Sequence, residues 1–138
     1  MAELSARVRL VEGTTSLASS RSHSVAVDRP ADKGGSDLGF LGGELFLAGE
    51  GGCFLSNVAA AARARGITLR RAEVLVRGVQ AEAPPRFSAV HLEVELEADA
   101  PAEELDKLLL VAERGCIVSN TLKAGTQLTV RRRGAGEE

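Results

Sequence analysis

The chain has 138 residues, a formal net charge of −2, two cysteines, four phenylalanines, and neither tryptophan nor tyrosine. That length suits a single domain, here residues 1–138, with a core of its own. The near-neutral charge and the shortage of rings argue against nucleic acid as a partner, since binding it takes a basic field and stacking surfaces.

The first segment, residues 1–30, reads as strands. "ARVRLVEG" alternates apolar and polar residues, and Gly13 offers a turn. In "SHSVAVD", Val25 and Val27 share a face before Pro30 ends the strand. Residues 31–43, with Gly34, Gly35, Asp37, Gly39, Gly42 and Gly43, carry no period and read as a glycine-rich loop. A loop of that length is long enough to carry function.

A central helix is expected over residues 44–65. It runs without proline, is apolar or small on nearly every side up to Arg63, and Gly66 suits its C-terminal cap. Such a helix is buried all round, and a second subunit is the simplest cover. Three glycines, Gly49, Gly51 and Gly52, sit just before Cys53. Each costs a helix about 1 kcal/mol relative to alanine, so something is expected to come close to that backbone.

Residues 67–132 are expected to hold further strands and a second helix. "ITLRRAEVLVRGVQAE" and "FSAVHLEVELEAD" form a hairpin turned at Ala83-Pro84-Pro85. Val90, Leu92, Val94 and Leu96 face one way, and His91, Glu93, Glu95 and Glu97 the other, so this sheet has a wet side. "PAEELDKLLLVAERG" is a helix opened by Pro101 and early acids. A short helical turn after Cys116 and a closing strand over 127–132 follow, with a frayed tail over 133–138. The sum is an α+β domain with helices packed on a mostly antiparallel sheet of six strands.

No uninterrupted apolar run reaches the roughly 18 residues of a membrane helix. "MAELSARVRL" lacks the apolar stretch of a signal peptide. A cytoplasmic protein with no membrane partner is expected, and in that compartment Cys53 and Cys116 remain thiols or cycle. Neither has a CxxC or histidine partner at metal spacing, so the pattern points to no metal. Each is either a buried core thiol or a reactive one. A helix starting at Cys116 would favour a thiolate there. Glu50, His23, His91 and Arg131 to Arg133 read as structural, interfacial or solvated residues.

"GGELFLAGEGGCFLSNVAAAARARGI" and "AERGCIVSNTLKAGTQLTV", with "HSVAVDRP" and the order of elements, resemble the family of osmotically inducible protein C and the organic hydroperoxide resistance proteins. The resemblance implies an intertwined homodimer with paired central helices. It also implies a thiol peroxidase without metal, haem or other cofactor, acting on organic hydroperoxides and reset by an external dithiol. Cys53 matches the peroxidatic cysteine and Cys116 the resolving one. The family's peroxidase branches carry a glutamate at the position of Gly43; Glu44 follows it, about 100° round the helix. They also bring an arginine from the N-terminal strands, for which Arg21 and Arg29 are the candidates. Gly42 and Ile117 stand where proline is common. The rival readings are a non-catalytic dimeric module for a small apolar ligand or a redox sensor, and a plain dimeric scaffold.

Overall fold

The computed structural model describes residues 2–134 and 136. The chain divides into two compact units, Met1–Gly52 with Glu73–Glu95, and Cys53–Ala72 with Leu96–Glu138. The central helix α1 (Gly42–Ala64) and the strands β4 (Leu69–Glu82) and β5 (Pro85–Ala98) contribute residues to both.

In the first unit, β1 (Arg7–Glu12), β2 (Thr15–Ser20) and β3 (His23–Val27) form an antiparallel sheet in chain order. Val8 pairs with Ala18 and Ser16 with Val27. The pattern reading assigns no strand to β2, whose "TSLASS" offers a single large apolar residue; its neighbours on both sides make it a strand. Gly13 turns β1 into β2 at φ 55°, and Arg21 turns β2 into β3 at φ 54°.

The glycine-rich loop is closed on itself. Asp28 N–H donates to the Phe40 carbonyl at 2.9 Å, and Asp37 N–H donates to the Arg29 carbonyl at 3.0 Å. Such a loop with adjoining ends is an Ω-type loop. At its root the Asp28 carboxylate, buried to 3% exposure, accepts four hydrogen bonds. They come from Thr14 Oγ1 at 2.5 Å, Thr15 Oγ1 at 2.8 Å, Arg29 N–H at 2.7 Å and Leu38 N–H at 3.2 Å. The Thr14 hydroxyl is the largest cause that pulls its pKa down to about 2, against the opposing effect of burial and with help from Thr15, Arg29 and Leu38.

α1 starts two residues ahead of the expected helix because Glu44 caps it. The Glu44 carboxylate reaches back to accept from Leu41 N–H at 2.9 Å, one half of a capping box. Within the same unit Gly51 lies against β4. A Cβ built there would come 3.0 Å from Val76 Cγ2 and 3.3 Å from Val74 Cγ1, so this glycine is the close approach that its sequence context called for. Gly49 and Gly52 have nothing within 4 Å of such a Cβ. Phe46 stacks on Phe87 with centroids 6.0 Å apart. By length and composition alone α1 is long and apolar enough to cross a membrane, although Glu44, Glu50, Asn57 and Arg63 punctuate it.

β4 and β5 pair as the expected hairpin, turning at Ala83 and Pro84. Val90, Leu92, Val94 and Leu96 are half-buried and the intervening His91, Glu93, Glu95 and Glu97 are exposed, as the alternation requires. Arg77 pairs with Glu93 across the strands at 3.0 Å.

The second unit packs the C-terminal half of α1 on α2 (Ala102–Gly115), with Ala61, Ala62 and Leu108 as its buried centre and Ile67, Leu69 and Leu105 around them. Small alanines on α1 let Leu108 seat fully. A third helix, α3 (Ile117–Ala124), follows after one residue. The closing strand expected over 127–132 is not formed, and the described residues hold five strands in two sheets. A strand needs a neighbouring ladder to satisfy its backbone; here Leu128 and Val130 stand 85% and 90% exposed. Of the frayed tail expected over 133–138, residues 135, 137 and 138 lie outside the described residues.

Candidate functional site: a pair of thiols at a helix junction

Cys53 and Cys116 are 63 residues apart in the chain, and the second unit brings their sulfurs to 3.1 Å. A covalent S–S bond is about 2.05 Å, so these are two thiols in contact. The Cys116 thiol donates toward Cys53 Sγ. Cys53 is partly exposed and Cys116 is wholly buried, with 0% exposure. Only the first can meet a solute without rearrangement.

Local sequence explains the placement. Gly115 ends α2, and Cys116, extended at φ −85° and ψ 116°, is both the C-cap of α2 and the N-cap of α3. Its Sγ accepts from Ser119 N–H at 3.4 Å. The orphan N–H groups of a helix start take acceptors, and Ser119 N–H takes the Cys116 sulfur.

Around Cys53 the helix supplies apolar and amide neighbours. Phe54 is buried and Leu55 half-buried. Asn57, one turn on, donates through Nδ2 to the Cys53 carbonyl at 2.9 Å, and the same nitrogen lies 3.9 Å from Cys53 Sγ. The Ser56 hydroxyl also donates to that carbonyl, at 2.9 Å. A Cβ built on Gly115 would come 3.2 Å from Asn57 Oδ1. Glycine at 115 therefore leaves room for the amide directly before Cys116.

Of the residues singled out in the sequence, Cys53 and Cys116 are brought together. Glu44, Arg21 and Arg29 belong to the first unit. There Glu44 caps α1, Arg21 occupies a turn, and Arg29 is an exposed side chain whose backbone ties the glycine-rich loop. Asn57 was not singled out, although its i+4 spacing from Cys53 is legible in any helix that contains both. Asp28 was not either; its partners Thr14 and Leu38 lie 14 and 10 residues away, a distance no local pattern registers.

Comparison with known proteins gives a consistent answer. The family model described as "OsmC-like protein" matches residues 34–131. The chain is similar in structure to an OsmC-like protein of Mycoplasma pneumoniae, with a TM-score of 0.80 at 20% identity over 90% of this chain and 89% of that one. An OsmC-like protein of unknown function from Vibrio cholerae aligns with a TM-score of 0.76 at 12% identity, over 88% of this chain and 94% of that one. The organic hydroperoxide resistance protein OhrB of Bacillus subtilis aligns with a TM-score of 0.61 at 19% identity, over 90% and 93%. No match was found among curated proteins.

Proposed function

The chain belongs to the OsmC-like protein family, and from that premise we propose that it is a thiol peroxidase for organic hydroperoxides, with Cys53 attacking and Cys116 resolving. The observation that carries this reading is the 3.1 Å approach of a partly exposed sulfur to a buried one. The likeness in fold to a protein named for organic hydroperoxide resistance supports the substrate class.

The chemistry needs two thiols and no other redox group. The Cys53 thiolate attacks the terminal oxygen of ROOH; the O–O bond breaks, an S–O bond forms, and the departing alkoxide takes a proton to leave as ROH. Cys53 is then a sulfenic acid. The Cys116 thiolate attacks that sulfur. An S–S bond forms and hydroxide leaves as water after protonation. An external dithiol returns both residues to thiols by exchange, its own two sulfurs becoming oxidised. Burial keeps Cys116 from the peroxide, which sets the order of the two residues. Phe54 and Leu55 beside Cys53 favour an alkyl or aryl hydroperoxide over hydrogen peroxide.

Intact-mass measurement after stoichiometric cumene hydroperoxide tests this. The expected product is the chain less two hydrogens, with Cys53 and Cys116 joined in one peptide pair. In Cys116→Ser, dimedone should instead trap a sulfenic acid at Cys53. Both thiols surviving unmodified would end the peroxidase reading.

A further inference from the structure

Asn57 lies four residues after Cys53, on the same face of α1. A primary amide carries two N–H bonds. One is held by the Cys53 carbonyl at 2.9 Å, and the nitrogen stands 3.9 Å from Cys53 Sγ, within reach of an N–H···S contact for the other. The oxygen of the same amide faces Gly115, next to the second cysteine. The amide thus sits between Cys53 and Gly115 and cannot swing away without losing its carbonyl bond.

We propose that Asn57 is an amide hydrogen-bond donor to the reacting sulfur, its second N–H stabilising the Cys53 thiolate. The idea deepens the peroxidase reading and rests on it for its purpose. Its chemistry stands apart, because any anion at Cys53 draws the donor. Hydrogen bonds to a charged acceptor are shorter and about twice as strong as neutral ones, so the long contact of the thiol tightens on ionisation.

Cys116 also bears on the same sulfur, from the α2–α3 junction. Glu50, 2% exposed, lies three residues earlier along α1. On that junction Glu113 is paired with Lys123. Asn57 itself does not titrate. A change at position 57 therefore alters the pH profile of Cys53 through the donor or through whatever charge replaces it.

The test is the rate of Cys53 alkylation by iodoacetamide against pH, followed by peptide mapping in the reduced full-length chain. Asn57→Leu keeps the branching and heavy-atom count and removes the donor; Asn57→Asp keeps the shape and exchanges the donor for a carboxylate. The expected result is an upward move of the profile midpoint by about half a pH unit in Asn57→Leu, hence about threefold slower alkylation at pH 7, and a larger move in Asn57→Asp. Thermal melting run in parallel reports whether the fold is kept; if Asn57→Leu unfolds, Asn57→Ala takes its place, since it also removes the donor without adding a charge. A profile for Asn57→Leu that superimposes on wild type overturns the proposal. A shift confined to Asn57→Asp overturns it too, since it would report only a nearby charge. No peroxide enters this measurement, so a chain inert to cumene hydroperoxide could still show the shift, and an active one could lack it.

Discussion

At the scale of single residues, Asp28 is an ionisable group held by four hydrogen bonds at the root of the glycine-rich loop. Its carboxyl is pulled down from its ordinary 3.8 to about 2, first by the Thr14 hydroxyl. Because the folded pKa lies below the unfolded one, the ion contributes stability above about pH 4, and that contribution drains as pH falls through the folded value. Asp28→Asn should therefore lower the urea midpoint at neutral pH and flatten its dependence between pH 2 and pH 4. The Arg29–Leu41 backbone of the variant should also be more open to amide hydrogen exchange, because one of the two acceptor oxygens shared by Thr14, Thr15, Arg29 and Leu38 becomes an N–H donor. An unchanged midpoint and unchanged exchange would show that Asp28 does not fasten the loop.

Among elements, α1 is the one that carries both chemistry and packing. Its first half uses Gly51 to lie against Val74 and Val76, and its second half uses Ala61 and Ala62 to seat Leu108. Small residues thus appear where another element comes near, and the helix-propensity cost of Gly51 is offset by that contact. Gly51→Leu should destabilise the chain by about 1–3 kcal/mol, the range for overpacking a filled site; chemical denaturation measures it. An increase in stability would mean that β4 yields more readily than a 3.0 Å approach allows. Helix α3 plays the smaller part of aiming its N-terminus at Cys116.

For the whole molecule, the exposed apolar side chains are the telling feature. Phe46, Leu75, Val79, Leu128 and Val130 are among the exposed apolar residues. We propose that a homodimer covers them, with the central helices of two copies packed on the Gly49 and Gly52 face, which is open in the single chain. Sedimentation should give twice the chain mass, and Gly49→Leu with Gly52→Leu should shift the equilibrium toward monomer. A double variant that remains as dimeric as wild type would place the interface elsewhere.

Much of this was readable without coordinates because it depends on near neighbours in the chain. The long apolar helix, its Gly66 cap, the turn at Ala83 and Pro84, and the alternation of Val90 to Glu97 all follow from steric preferences and from burial of one face. What needed the tertiary structure was whatever joins distant segments. β2 is a strand because β1 and β3 flank it, not because "TSLASS" insists. Gln127 to Arg132 has the alternation of a strand and forms none among the described residues. Glu44 caps a helix whose start only the folded loop defines. Above all, two cysteines 63 residues apart come to 3.1 Å because α1 and the α2–α3 junction pack around Leu108 and Ala62. Local pattern encodes the conformation each segment prefers; the contact between sulfurs is a property of how those segments close on one another, and no spacing along the chain expresses it.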